Sequence, residues 1–171
     1  MALIKDRKLA QDTWKLLDGA EGELPLIPAA GNVIVPLAAW QALREQLISR
    51  AGGVGVVLSA TDDPADIAAD LKHLQVVAVN FATLNDGRGY STARLLRERY
   101  GWRGELRAVG DVLRDQLFYL ARCGFDAFEL KEGADVEEVL AAFNDFSESY
   151  QASVERPLPL FRRREATAAT S

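Results

Sequence analysis

The sequence predicts a single α/β domain: a mostly parallel sheet of about five strands with helices on both faces, and a short hairpin-like extension at the N-terminus. Three observations predict it. From Val33 onward, short β-branched or apolar runs alternate with stretches of helical spacing. One of those runs, Val54 to Ser59, is almost wholly apolar and follows Gly52-Gly53, as a strand buried on both faces requires. Hydrophobic residues make up 49% of the 171 positions and charged residues 26%, enough apolar material for one core in a chain too short for two. The expected layout is an N-terminal appendage over 1–30, a core over 31–150 and a C-terminal tail over 151–171.

The elements follow in order. Leu3-Ile4-Lys5 and Thr13-Trp14-Lys15-Leu16-Leu17 are expected to pair as short strands across Asp6-Arg7, and Pro25 and Pro28 bar a continuous helix after them. Val33-Ile34-Val35 is a strand. Pro36 suits the first turn of the helix behind it, in which Leu37, Trp40, Leu43, Leu47 and Ile48 recur at helical spacing. After the strand Val54 to Ser59, Asp63 is placed as a helix cap and Pro64 at the first helical position, with Ile67, Leu71 and Leu74 facing inward. Val76 to Phe81, Leu106 to Val109 and Ala127 to Leu130 complete the strands, and Ser91 to Tyr100 and Val112 to Arg122 are the helices between them. Asp135 and Glu138 read as a capping box for a last helix whose stripe is Val136, Val139, Leu140, Phe143 and Phe146. Beyond Tyr150, Pro157 and Pro159 rule out regular helix, and Arg162-Arg163-Arg164 reads as a solvated terminus.

Repeated strand–helix units imply right-handed crossovers and a parallel sheet. An open three-layer arrangement is the expectation. A full eight-unit barrel needs roughly 200–250 residues, so the alternative is a partial barrel.

Composition excludes several function classes. A formal charge of −5 disfavours nucleic-acid binding, which draws its affinity from Lys and Arg on phosphates. One cysteine, Cys123, and one histidine, His73, cannot build a disulfide framework or a Cys/His metal cluster, and Cys123 is expected to be a buried thiol. No apolar run reaches the roughly 20 residues of a membrane span, and a cytoplasmic location is expected. Charge is unevenly spread: 86–123 carries eight arginines and five acids, whereas 124–149 carries eight acids and one lysine. Solvated faces of opposite sign explain this, and a steering surface for an anion or protein partner is the alternative. Arg94, Arg97, Arg99 and Arg103 are read first as a solvated surface, with Glu98 pairing Arg94.

Chemistry is expected in loops at the carboxyl edge of the sheet. Asp86-Gly87-Arg88-Gly89-Tyr90-Ser91 follows a strand and opens a helix, with Ser91 as its cap. Helix-terminal N–H groups together with Arg88 suit a sulfate, phosphate or carboxylate, while a plain turn and cap explains the same residues. Neither a P-loop lysine nor a three-glycine dinucleotide fingerprint is present. Gly110-Asp111 ends the next strand. Asp111 reads as an N-cap or as a functional carboxylate with Gln116 and Asn80 as neighbours, and Asp86 with Asp111 as an acid/base pair if they lie close. The candidate ligand set is therefore Asn80, Asp86, Arg88, Tyr90, Ser91, Asp111 and Gln116.

The run Asp86 to Ser91, then Leu95-Leu96-Arg97, Gly104 through Leu117 and Gly124-Phe125-Asp126-Ala127-Phe128, together with Ile34-Val35-Pro36-Leu37, resembles a bacterial family of unknown function. Members of that family are typically encoded beside sulfite reductase and sulfate-assimilation genes and are often described as oxidoreductases involved in sulfite reduction. The resemblance implies a role in sulfate assimilation, with sulfite reductase or another protein of that pathway as partner, or a small anion as ligand. The residues themselves carry no flavin, nicotinamide, haem or iron–sulfur pattern, so no cofactor is assigned. Two functions follow as expectations: an accessory protein of assimilatory sulfite reduction, or a small-molecule oxidoreductase with a pocket at the carboxyl edge of the sheet.

Overall fold

The computed structural model describes residues 2–17, 24–83, 87–131, 133–143 and 153–154. All five expected core strands form: β4 (Asn32–Pro36), β5 (Val54–Leu58), β6 (Val76–Phe81), β7 (Glu105–Gly110) and β8 (Ala127–Leu130). Three short strands, β1 (Ala2–Lys5), β2 (Lys8–Ala10) and β3 (Trp14–Leu16), raise the sheet to eight, in the order β2-β1-β8-β7-β6-β5-β4-β3. β3 to β8 run parallel, and β1 is antiparallel to both β8 and β2.

The N-terminal hairpin turns at Asp6-Arg7 as expected, both with positive φ (50° and 61°). Its second strand is Lys8–Ala10, however, and the expected partner around Trp14 lies at the opposite edge of the sheet beside β4.

This placement fixes the curvature. In a flat sheet, β2 and β3 would stand about 34 Å apart, across seven strand spacings of roughly 4.8 Å. Gln11, Asp12 and Thr13 alone join them, and the chain from Ala10 to Trp14 reaches at most about 14 Å. The sheet is therefore curled until its edges nearly meet.

Helices on both faces are not what forms. β4 to β8 lie side by side in chain order, so every right-handed crossover returns on the same side and every helix packs on the outer face. These are α1 (Leu37–Ser49), a 3₁₀ helix (Pro64–His73), α2 (Arg88–Arg94) continued by a π turn (Leu95–Arg99), a 3₁₀ turn (Arg114–Gln116) leading into α3 (Leu117–Cys123), and α4 (Val136–Ala142).

Strand alternation divides the apolar residues accordingly. Val35, Val56, Val77, Leu106 and Phe128 face the helices and bury Trp40, Ile67, Leu96, Leu117 and Leu120 in the main core. Ile34, Val76, Ala78 and Val109 face inward, with Trp14, Leu16 and Val57 against them.

Local signals hold where the chemistry is simple. Asp63 accepts from Ala65 N–H at 2.9 Å with Pro64 next, and Asp135 accepts from Glu137 and Glu138 N–H, while the Glu138 side chain pairs with Arg114 and does not close the expected capping box. Trp40 is fully buried, and its indole N–H donates to Asp70, which also takes Arg44 at 2.9 Å. Ile48 differs from expectation: it is exposed, because Leu47 takes the inward position on that turn of α1 and the next residue points about 100° further round. Phe146 and Arg162 to Arg164 lie outside the described residues.

Candidate functional site

The inner face has two ends of different chemistry. At the amino-terminal end of the strands, the floor, charged groups are matched. Arg107 on β7 is 1% exposed; its Nε donates to Glu105 Oε1 at 2.8 Å and its Nη1 to Asp12 Oδ2 at 2.8 Å. Its Nη2 also lies 2.8 Å from Glu105 Oε1, near enough for charge pairing but without a hydrogen-bonding angle. Lys5 Nζ meets Glu105 Oε2 at 2.8 Å. Burial alone would lower the Arg107 guanidinium, but the Asp12 hydrogen bond and the Glu105 charge outweigh it and raise it above its ordinary value. Asp12 also accepts from Trp14 N–H at 3.0 Å, so one carboxylate ties the connection between the sheet edges to the inner face.

At the carboxyl ends of the strands, the mouth, there is a cavity of about 500 Å³. Leu16, Leu17, Pro36, Leu37, Ala38, Val57 and Val109 make its apolar wall, and Ser59, Asp62, Asn80, Gly110 and Glu129 its polar one. Ser59 and Asp62 are fixed by a local turn: Asp62 Oδ2 accepts from Ser59 N–H at 2.7 Å, while the Ser59 hydroxyl lies 3.0 Å from that of Thr61. Asn80 is half-buried, and its carboxamide makes no hydrogen bond to another described residue.

Gly110 has to be glycine, since its φ is +90° and an added Cβ would stand 2.4 Å from Asn80 Oδ1 and 2.7 Å from the Phe81 carbonyl. Strand ends of a parallel sheet point their loops at such a cavity, which is where α/β folds bind ligands. A second cavity, about 350 Å³, lies on the outside beside Asp6, Arg7, Phe128 and Phe143, and is lined mainly by apolar side chains. The mouth is the larger of the two and the one on which polar groups from four strand ends converge, so it is the better candidate.

The expected ligand residues do not gather. Asn80 alone lines the mouth. Asp111 follows Gly110 at the rim, where it pairs with Lys131; it caps no helix, because the chain turns helical only at Arg114. Gln116 accepts from Leu113 N–H at 3.1 Å and serves that helix start. Tyr90 packs on the helical side, its ring 5.4 Å from Phe81 and 5.0 Å from Tyr119, and burial pushes its phenol up. Arg88 is exposed at the beginning of α2. Ser91 lies within α2 rather than capping it, on an outer surface shared with Arg94 and Leu95. Asp86 lies outside the described residues, so its pairing with Asp111 has no geometry. Gly89 answers to packing: a Cβ there would strike the Phe81 ring at 2.7 Å, so it lets α2 lie close on β6.

The arginine-rich stretch divides in two. Arg94 pairs with Glu98 at 3.1 Å in the open, as expected. Arg97 is not a solvated surface residue; its side chain is 9% exposed and donates to the carbonyls of Trp102, Gly104 and Gly124 and to Asp126 at 2.7 Å. Burial raises the Asp126 carboxyl, with Leu106 N–H and Arg97 opposing the rise. Cys123 is buried and its thiol is pushed up by that burial, as suits an inert core residue. Among the described residues no group of three or more His, Cys, Asp or Glu is placed to hold a metal ion, and no helix is long and apolar enough to cross a membrane.

Comparison with curated proteins finds no match, and comparison with solved structures finds none either. A family model, however, matches residues 55–161, more than half of the sequence, from β5 to beyond α4. The chain belongs to this bacterial family of unknown function, DUF934.

Proposed function

We propose that this protein is an accessory component of assimilatory sulfite reduction, acting beside sulfite reductase and using the mouth as a ligand site rather than as a sulfite-reducing centre. The resemblance described above supports the pathway. The mouth's lining is the observation that carries the accessory role: its ionisable lining residues are two acids, Asp62 and Glu129, with no Lys or Arg among the described ones. Sulfite is an anion and needs cations or converging N–H donors to be held. Reduction of sulfite is therefore assigned to the partner.

The second reading is a small-molecule oxidoreductase of sulfur metabolism. The cavity favours it, since about 500 Å³ at the carboxyl edge of a parallel sheet is an ordinary size and place for a substrate pocket. Electrons would then come from a cofactor or partner not identified by any motif.

Growth and capture experiments separate these readings. Loss of the gene is expected to impair growth on sulfate and sulfite but not on sulfide, and affinity capture from sulfate-grown cells should recover sulfite reductase. Normal growth on sulfate together with no reductase recovered would overturn the accessory role. A chromophore in the absorption spectrum of the captured protein would favour the oxidoreductase.

A further inference from the structure

We infer that the outer face of the π turn is a docking surface for an acidic segment of a partner protein that also carries an apolar anchor. This rests on the reading above only in taking the chain to work beside another protein, and it does not involve the mouth or its ligand.

An open groove of about 440 Å³ runs along the end of α2 and the π turn, lined by Ser91, Arg94, Leu95, Glu98 and Arg99. Leu96 takes the core position and is fully buried, whereas Leu95 is 37% exposed in the groove. The charges around it are mainly positive. Arg94 is matched by Glu98, but the exposed Arg99 and Arg103 have no ion pair with a described residue, and Arg99 only lies over the neighbouring Tyr100 ring. The 3₁₀ helix packed beside this turn carries the exposed Lys72 in its last turn. This basic strip belongs to a chain whose formal charge is −5. An acidic partner is therefore repelled by the molecule as a whole and attracted here, which fixes where it docks.

The strip is also held rigid. Arg97, from the same turn, donates to the carbonyls of Trp102, Gly104 and Gly124 and to Asp126, while Tyr100 and Trp102 N–H return to the carbonyls of Leu95 and Leu96. A surface ordered beforehand loses little entropy on binding. π turns are rare in helices and frequent at functional sites.

Charge and shape together select the occupant. Guanidinium forks match carboxylates, and Leu95 offers an apolar contact between them. The arginines are spread along an open face and do not converge, so a small free anion gains little from them. So few cations on a molecule of net negative charge also hold a nucleic acid or an anionic membrane poorly. An acidic protein segment with an apolar side chain satisfies both halves of the groove.

The test is a titration of the full-length, ¹⁵N-labelled protein with a synthetic helical peptide of Glu-Leu-Leu-Glu repeats. Counterpart peptides carry Gln for every Glu or Ser for every Leu, and duplex DNA and phosphatidylglycerol vesicles serve as other polyanions. The acidic peptide is expected to shift the backbone amides of Ser91, Leu95, Arg99 and Arg103, and to bind about tenfold more tightly than its Gln counterpart at about 50 mM salt, with the advantage shrinking at about 200 mM. Arg99→Glu combined with Arg103→Glu should weaken it about tenfold while the melting temperature stays within about 2 °C of the parent, and Leu95→Ser should weaken it roughly fivefold. The inference fails if the Gln peptide binds as tightly, if DNA or the vesicles shift these amides as strongly as the acidic peptide, or if the double variant binds like the parent. Capture keeps the two readings apart. Sulfite reductase recovered equally by the parent and the double variant overturns the docking surface, whereas peptide binding at the strip with no reductase recovered overturns the accessory role alone.

Discussion

The floor and the mouth are two ends of one inner face, furnished by the same strands, and they treat polar side chains in opposite ways. At the floor, Glu105, Arg107, Asp12 and Lys5 close on one another at 2.8 Å. At the mouth, Asn80 and one oxygen of Asp62 are left with unused bonding capacity beside an open cavity. Both residues are half-exposed, so water can satisfy them and they cost little without a protein partner. Matched charges thus hold the sheet together at one end, while the polar groups at the other end stay open to solvent.

The largest effect should come from the floor. Arg107→Leu leaves the buried Glu105 carboxylate with Lys5 alone and Asp12 without its cation, and should cost about 3–5 kcal/mol, which at this chain length lowers the melting temperature by roughly 6–20 °C. Urea unfolding checks it, and a loss under about 1 kcal/mol would break the contrast between the two ends. Arg107→Leu combined with Glu105→Leu should recover part of the loss, because it removes the buried carboxylate as well and the Lys5 it frees is exposed.

Gly110→Ala comes next, at about 1–3 kcal/mol, since it forces a side chain into a left-handed conformation against Asn80 and Phe81. Unlike a floor variant it should also displace the Asn80 carboxamide, visible as a shifted side-chain amide resonance.

Lys5 gives a pH signature. The hydrogen bond to Glu105 raises its ammonium above 10.5, with burial opposing, so its contribution to stability is complete below about pH 10.5 and is lost as pH rises through the higher folded value. Urea midpoints of the parent and Lys5→Met should therefore differ at pH 8 and converge in that alkaline window; a constant difference would show that Lys5 acts through packing alone.

The smallest effect is expected for Asn80→Ala, within about 0.5 kcal/mol by thermal unfolding, because its carboxamide has no hydrogen-bond partner among the described residues. A substantial loss would make Asn80 a structural residue and the mouth less distinct from the floor.

Much of the fold was legible. The five core strands and the caps at Asp63 and Asp135 follow from local chemistry, where β-branched runs and a carboxylate before Pro64 or Val136 leave few alternatives. The single helical face was not, because it depends on strand order, and nothing local to Val54–Leu58 or Val76–Phe81 encodes which strand lies beside it.

The floor was hidden for a related reason. Glu105 and Arg107 alternate with Leu106 and Ala108, the pattern of a strand with one wet face, and only curling turns that face into an interior. Asp12 lies 95 residues from Arg107, beyond any spacing rule. The candidate site was partly legible: Asn80 and the Gly110 turn lie at strand ends in the sequence, but Ser59, Asp62 and Glu129 look like ordinary turn and surface positions until the strands are brought together.

The pairing of β1 with β8 sets the order in which the protein can be made. Ala2 faces Leu130, so β1 has to wait for a strand made well over a hundred residues later before its ladder to β8 can form. Such long sequence separation slows folding, since loop closure is costly until the contacts that repay it exist. During that wait β1 and its hairpin mate β2 are not held by β8, which leaves this hairpin with unpaired strand edges open to mispairing.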